Sequence, residues 1–108
     1  MSQPPDPVQD YLRNVEAVPP VSADEERNLL EASLSNDAAK KRVIEANLRL
    51  VPPIAQRYEG RGLRFVDLVQ EGNVALVRAV ELFDPSEDGE FTAYASQKID
   101  AAIARALG

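Results

Sequence analysis

The chain has 108 residues, 44% of them apolar, which suffices for one modest core and one domain. It contains no cysteine and no histidine. Disulfides, thiolate or imidazole metal sites and catalytic triads are therefore excluded. Twelve basic residues against 18 acidic ones give a net charge of −6. A duplex-DNA binder ordinarily carries a basic face, because affinity comes largely from neutralising phosphates. The composition argues against strong DNA binding by the chain alone and is compatible with a basic protein partner.

No run of roughly 18 apolar residues is present, so no membrane-spanning helix is expected. The opening MSQPPDPVQD lacks a basic region followed by an apolar block, so it does not read as a signal peptide. A cytoplasmic protein is expected. Residues 1–7 hold three of the eight prolines and read as a flexible arm. Residues 8–108 read as a single helical domain. Val8, Tyr11, Leu12 and Val15 mark a short helix that ends before Pro19 and Pro20. Ser22 and Glu25 form a capping box that starts a helix running to about Leu34. Ser35-Asn36-Asp37 supplies the next turn and cap, and a third helix covers about Asp37 to Leu50. Pro52 and Pro53 predict a break near Leu50 and a new helix from the prolines to about Tyr58. Gly60-Arg61-Gly62 is a turn. Two longer helices close the chain, at about Phe65–Phe83 and Phe91–Leu107, joined by the polar loop 84–89. Nothing alternates with period two for long, so the fold class is all-α without a sheet.

In the Phe65–Phe83 helix, Phe65, Leu68, Val69, Gly72, Leu76, Ala79, Val80 and Phe83 fall on one stripe, the predicted core face. Glycine inside a helix costs about 1 kcal/mol against alanine, so Gly72 points to a close helix crossing. The opposite face carries Val66, Asp67, Gln70, Glu71, Val74, Val77, Arg78 and Glu81. Apolar residues rimmed by polar ones indicate a partner site, although a solvated face with a few valines fits the same pattern.

The segment RLVPPIAQRYEGRGLRFVDLVQEGNVALVRAVELFDPSEDGEFTAYA resembles region 2 of the sigma-70 class of bacterial transcription initiation factors. The likeness carries an Asn-Leu-Arg-Leu-Val run, then Arg-Tyr-x-Gly-Arg-Gly-Leu, an Asp-Leu-x-Gln-Glu-Gly-Asn helix, Phe-Asp-Pro and Phe-x-x-Tyr-Ala. It extends upstream to Asp6–Arg13, which is similar to the family's preceding region. The resemblance implies a compact multi-helix bundle of the sigma region 2 type. It also implies docking on the clamp coiled coil of the β′ subunit of core RNA polymerase, through Asp67, Gln70, Glu71 and Asn73. Val77 stands where the family has methionine. Truncating one central anchor of such an interface costs about 2 kcal/mol or more.

The last helix departs from the family pattern. Family members capture flipped promoter bases on aromatic side chains and read the −10 element with polar ones, and stacking is worth about 1–3 kcal/mol per base. Phe91 and Tyr94 match, but Gln97 and Lys98 replace two tryptophans, Asp100 replaces an arginine, and Ala101 and Ala104 replace base-reading Gln and Thr. Ile99, Ala102, Ile103 and Ala106 remain apolar and are expected in the core. Ala93, Gln97, Asp100, Ala101 and Ala104 are expected to form a flat, weakly polar surface with no bidentate base reader. Phe91 and Tyr94 also fit a packing role.

The remaining nucleic-acid candidates are Tyr11, Arg13 and Lys98. Tyr11 and Arg13 match a family segment that touches single-stranded DNA. Arg57, Arg61 and Arg64 cluster around the glycine-rich turn, as phosphate contacts or as a solvated loop. No Asp/Glu constellation has metal-ligand spacing, so no catalytic residue, cofactor, metal or small-molecule substrate is expected. The expected function is a sigma-70-like transcription initiation protein that docks on polymerase, with most melting and reading residues replaced. The alternative is a sigma-like regulator or decoy that binds polymerase without opening DNA. In either case promoter DNA is expected to be bound only weakly or through polymerase.

Overall fold

The computed structural model describes residues 6–108, and every element within them is helical. Most of the expected flexible arm lies outside the described residues. Its last two residues are not an arm: Asp6 caps the first helix, α1 (Pro7–Ala17), and Pro7 forms its first turn. Asp6 Oδ1 accepts from the backbone N–H groups of Val8 at 3.0 Å and Gln9 at 3.3 Å, and a first-turn proline sacrifices no helical hydrogen bond. The helix stops at Val18, whose extended backbone is what a residue before proline prefers.

Helix α2 (Ala23–Ala32) starts where Ser22 accepts from Glu25 N–H at 3.1 Å. It ends two residues before the expected Leu34, whose side chain is exposed. Helix α3 (Asp37–Asn47) is capped by Asn36, which accepts from Ala38 N–H at 2.9 Å and Ala39 N–H at 3.1 Å. Both starts follow from short polar side chains that take up first-turn donors.

The expected break near Leu50 is present and begins three residues early: α3 ends at Asn47, whose φ −110° and ψ 0° leave the helical region. A 3₁₀ turn (Leu48–Leu50) leads directly into α4 (Val51–Gln56), and Leu50 itself keeps helical angles, φ −70° and ψ −27°. Pro52 and Pro53 lie in the first turn of α4, where missing N–H groups cost little. Val51, Pro52, Ile54 and Ala55 of α4 are buried, whereas Pro53 faces solvent. Asn47 stands at the junction, only 6% exposed. Its Nδ2 donates to the Val43 carbonyl at 2.8 Å and to Glu26 Oε2 at 3.2 Å, tying α3 to α2. Helix α4 ends at Gln56, two residues short of Tyr58, and the chain turns through Gly60 (φ +80°) and Gly62 (φ +115°).

Helices α5 (Phe65–Leu82) and α6 (Phe91–Ala106) form the longest mutual contact in the fold. Leu68, Leu76, Ile99 and Ile103 are fully buried between them and α4. The expected core stripe of α5 holds, with Ala75 added and with Phe65 and Phe83 only half-buried. On α6, Ala95 is buried, whereas the expected core residue Ala106 is exposed. Ala106 is the final residue of the helix and borders the open groove between α5 and α6. Gly72 permits the crossing: a Cβ built there meets Val51 Cγ1 at 2.5 Å, Ile99 Cγ2 at 3.2 Å and Ile103 Cδ1 at 3.3 Å. No helix among the described residues is long and apolar enough to cross a membrane.

Candidate functional site

The outer side of α5 faces a groove of about 690 Å³ whose other wall is α6. Asp67, Gln70, Glu71, Val74 and Arg78 line it from α5; Tyr94, Lys98 and Arg105 line it from α6. Val74 is 54% exposed and Leu82 at its end 70% exposed. The groove is therefore apolar along its floor and charged along both rims. The residues from α5 recur at three- and four-residue spacing, which places them on one side of a helix.

The structure brings three of the five polymerase-docking candidates together and sets two apart. Asp67, Gln70 and Glu71 share the groove. Asn73 does not line it, because six residues of helix turn its side chain roughly 120° away from Asp67. It faces α1 instead, in a cleft of about 250 Å³ lined by Pro7, Val8, Tyr11, Phe65, Val66, Val69 and Gln70. Asn73 Nδ2 donates to the Tyr11 hydroxyl at 3.0 Å, and its Oδ1 is buried without a partner. Val77, one turn beyond Asn73, is half-buried and lines neither hollow. Gln70 stands on the ridge and borders both. The single polar face read from the sequence is thus two adjacent stripes.

Asp67 is prearranged by its neighbour. Arg64 Nε donates to Asp67 Oδ2 at 3.0 Å, and Arg64 Nη2 to Oδ1 at 3.4 Å. That fork holds the Asp67 carboxyl below the usual carboxylate range, the hydrogen bond from Arg64 being the main cause, against a smaller opposing effect of burial. A depressed carboxyl contributes stability that is present above its unfolded value and is lost as pH falls through its folded value. Arg64→Gln is expected to raise the Asp67 titration midpoint, read by carboxyl-carbon NMR. An unmoved midpoint would remove Arg64 as the cause.

The nucleic-acid candidates are scattered. Tyr11 is half-buried, with its hydroxyl engaged by Asn73. Arg13 is exposed on α1 and pairs with Asp10. Phe91 is 3% exposed and meets Phe83 edge-on at 5.2 Å between centroids, so its ring faces the core. Tyr94 also leans on Phe83, at 5.3 Å, and the Lys98 ammonium lies 5.4 Å from its ring centroid. Tyr94 and Lys98 therefore face the same groove as Asp67 and Glu71.

Two further expectations need correction. The arginines near the glycine-rich turn are not one basic cluster: Arg64 is taken by Asp67, whereas Arg57 and Arg61 lie around Tyr58. Asp100 is not simply part of a flat outer face, because it accepts a hydrogen bond from Tyr58 at 2.9 Å. Tyr58 escaped the sequence reading because its partner lies 42 residues away. Arg105 escaped it as well: helical spacing from Lys98 puts it on the groove wall, but only the α5–α6 crossing makes that wall part of a site.

The helical bundle, with its two-rimmed groove along α5, has the architecture of a region 2 domain of sigma factors. The Sigma-70 region 2 family matches residues 43–108, and the chain belongs to that family. It is 50% identical over 103 residues to the RNA polymerase sigma factor SigA of a Bacillus species, covering 94% of this chain and 27% of that protein. It is 46% identical over 106 residues to the protein of that name from Lactococcus lactis subsp. cremoris, with 94% and 29% covered. The SigA protein of Clostridium acetobutylicum is 48% identical over 103 residues, with 94% and 27% covered. The chain thus spans less than a third of the length of these relatives.

Proposed function

We propose that the chain acts in transcription initiation as a sigma-70-like protein that docks on the β′ clamp coiled coil of core RNA polymerase through the outer groove of α5. The observation that carries this reading is the exposed Val74 flanked on one helical face by Asp67, Gln70 and Glu71. Apolar surface at the centre of a polar rim is what a protein interface buries. Asn73 and Val77 belong to a second stripe and contribute at the edge of the same contact. The site is a binding surface without catalytic chemistry, and its setting is the cytoplasm, where polymerase works.

A second reading has its own support. Gln97, Ala101 and Ala104 are exposed on α6 and offer no planar, charged reader of base edges. Phe91 is buried and Tyr94 is flanked by Phe83 and Lys98. These features favour a chain that occupies the clamp without opening promoter DNA.

Binding of the chain to a β′ clamp fragment, measured by interferometry, tests the first statement. Gln70→Ala and Glu71→Ala are each expected to weaken binding by about 2 kcal/mol, roughly thirtyfold in Kd. Wild-type affinity in both variants would sink the docking reading. Fluorescent −10 single-stranded DNA with core polymerase separates the two readings. Sequence-selective binding comparable to that of an ordinary sigma factor would eliminate the decoy.

A further inference from the structure

Asp100 projects from α6 toward the end of α4. Tyr58 donates its O–H to Asp100 Oδ1 at 2.9 Å, and Arg57 Nη1 lies 3.9 Å from the same oxygen. The Arg61 guanidinium stands 5.5 Å from the centroid of the Tyr58 ring. Two cations, one aromatic ring and one carboxylate thus form a set at the surface. The Asp100 side chain is 41% exposed and that of Arg57 68%. An ion pair this open is weak and exchangeable.

Three members of the set match what single-stranded nucleic acid requires: cations for the phosphate backbone and an aromatic face for a base. The fourth member supplies an anion from within the chain. Its oxygen accepts the hydrogen bond and the positive field that a phosphate oxygen would otherwise take. The Tyr58 phenol is pushed above its ordinary value, mainly by the hydrogen bond to Asp100, against the opposing fields of Arg61 and Arg57. Around Asp100 the same side of α6 carries the exposed, uncharged Gln97 and Ala104, one turn away on either side.

We propose that Asp100 is an intramolecular stand-in for a nucleic-acid phosphate, holding the Arg57–Tyr58–Arg61 cluster closed to single-stranded polynucleotide. Neutralising Asp100 opens the cluster. The inference concerns the chain without polymerase, so it stands or falls separately from the docking reading.

The test is fluorescence anisotropy of labelled oligothymidylate with the 108-residue chain and its variants across a salt series. Asp100→Asn removes the charge, keeps an oxygen for Tyr58, and is expected to bind about tenfold more tightly at low salt. Its log–log salt slope is expected to steepen by about 0.7 for each arginine recruited. Asp100→Ala, which removes the acceptor too, gives a second route to the same outcome. Glu59→Gln changes net charge equally at an exposed neighbour and is expected to shift affinity by less than about twofold. Arg57→Gln added to Asp100→Asn is expected to return binding to the parent level. The proposal is overturned if Asp100→Asn binds no more tightly than Glu59→Gln, if its salt slope is unchanged, or if the double variant stays tight. Alkaline absorbance titration reads the geometry directly. Asp100→Asn is expected to lower the midpoint of one of the three tyrosines, and three unmoved midpoints would equally overturn it.

Discussion

Leu76→Ala is expected to destabilise the fold by about 2–5 kcal/mol. Leu76 is fully buried at the middle of α5, within the cluster that α5 shares with α4 and α6. Its removal loses the transfer free energy of the missing methyl and methylene groups. It also leaves a cavity whose walls come from three helices, which cannot all close on it at once. A domain of this size has roughly 5–15 kcal/mol in total, so the loss takes a large share. The measurement is the urea unfolding midpoint at unchanged slope. A loss under about 1 kcal/mol would mean that the site collapses, and that the α5–α6 crossing is not the rigid centre of the fold.

Gly72 gives the second large effect, and its sign is the informative part. At an exposed position of a helix, Gly→Ala stabilises by about 1 kcal/mol, because glycine has more conformational freedom to lose. Here the new Cβ meets Val51 Cγ1 at 2.5 Å, and the fully buried Val51 has a branched, stiff side chain. Overpacking typically costs about 1–3 kcal/mol, so Gly72→Ala is expected to be neutral to destabilising. Gly72→Val adds two further methyl groups against Ile99 and Ile103 and is expected to cost about 3 kcal/mol or more. Thermal unfolding of the two variants beside the parent checks the order. A Gly72→Ala chain melting several degrees above the parent would show that α4 and α6 yield at this crossing.

Both effects arise where α4, α5 and α6 meet, and the groove depends on the same place. The crossing at Gly72 fixes how closely α6 approaches α5. That spacing sets Tyr94, Lys98 and Arg105 opposite Asp67, Gln70 and Glu71. A destabilised crossing and an altered groove are therefore expected together, and clamp binding by Gly72→Ala is best compared with its stability before it is interpreted.

The sequence by itself determined the local structure. Ser22 and Asn36 mark helix starts, and Pro52 and Pro53 mark another, because capping and first-turn proline act within a few residues. The core stripe of α5 follows from a 3.6-residue period that needs no partner to be read. Family membership was legible for a similar reason, since the Asp67–Asn73 motif lies within one helix. The tertiary structure decided the rest. Pro52 and Pro53 mark the start of α4 in the sequence, but that Pro52 is buried and Pro53 exposed depended on what packs against α4. The division of one polar face into a groove with Asp67, Gln70 and Glu71 and a cleft with Asn73 depended on where α1 and α6 lie. Asp100 turned from a surface charge into the partner of Tyr58 through a contact spanning 42 residues. Periodicity assigns a residue to one side of its own helix. Which neighbour fills that side is a long-range packing outcome, set by side chains far away in the chain.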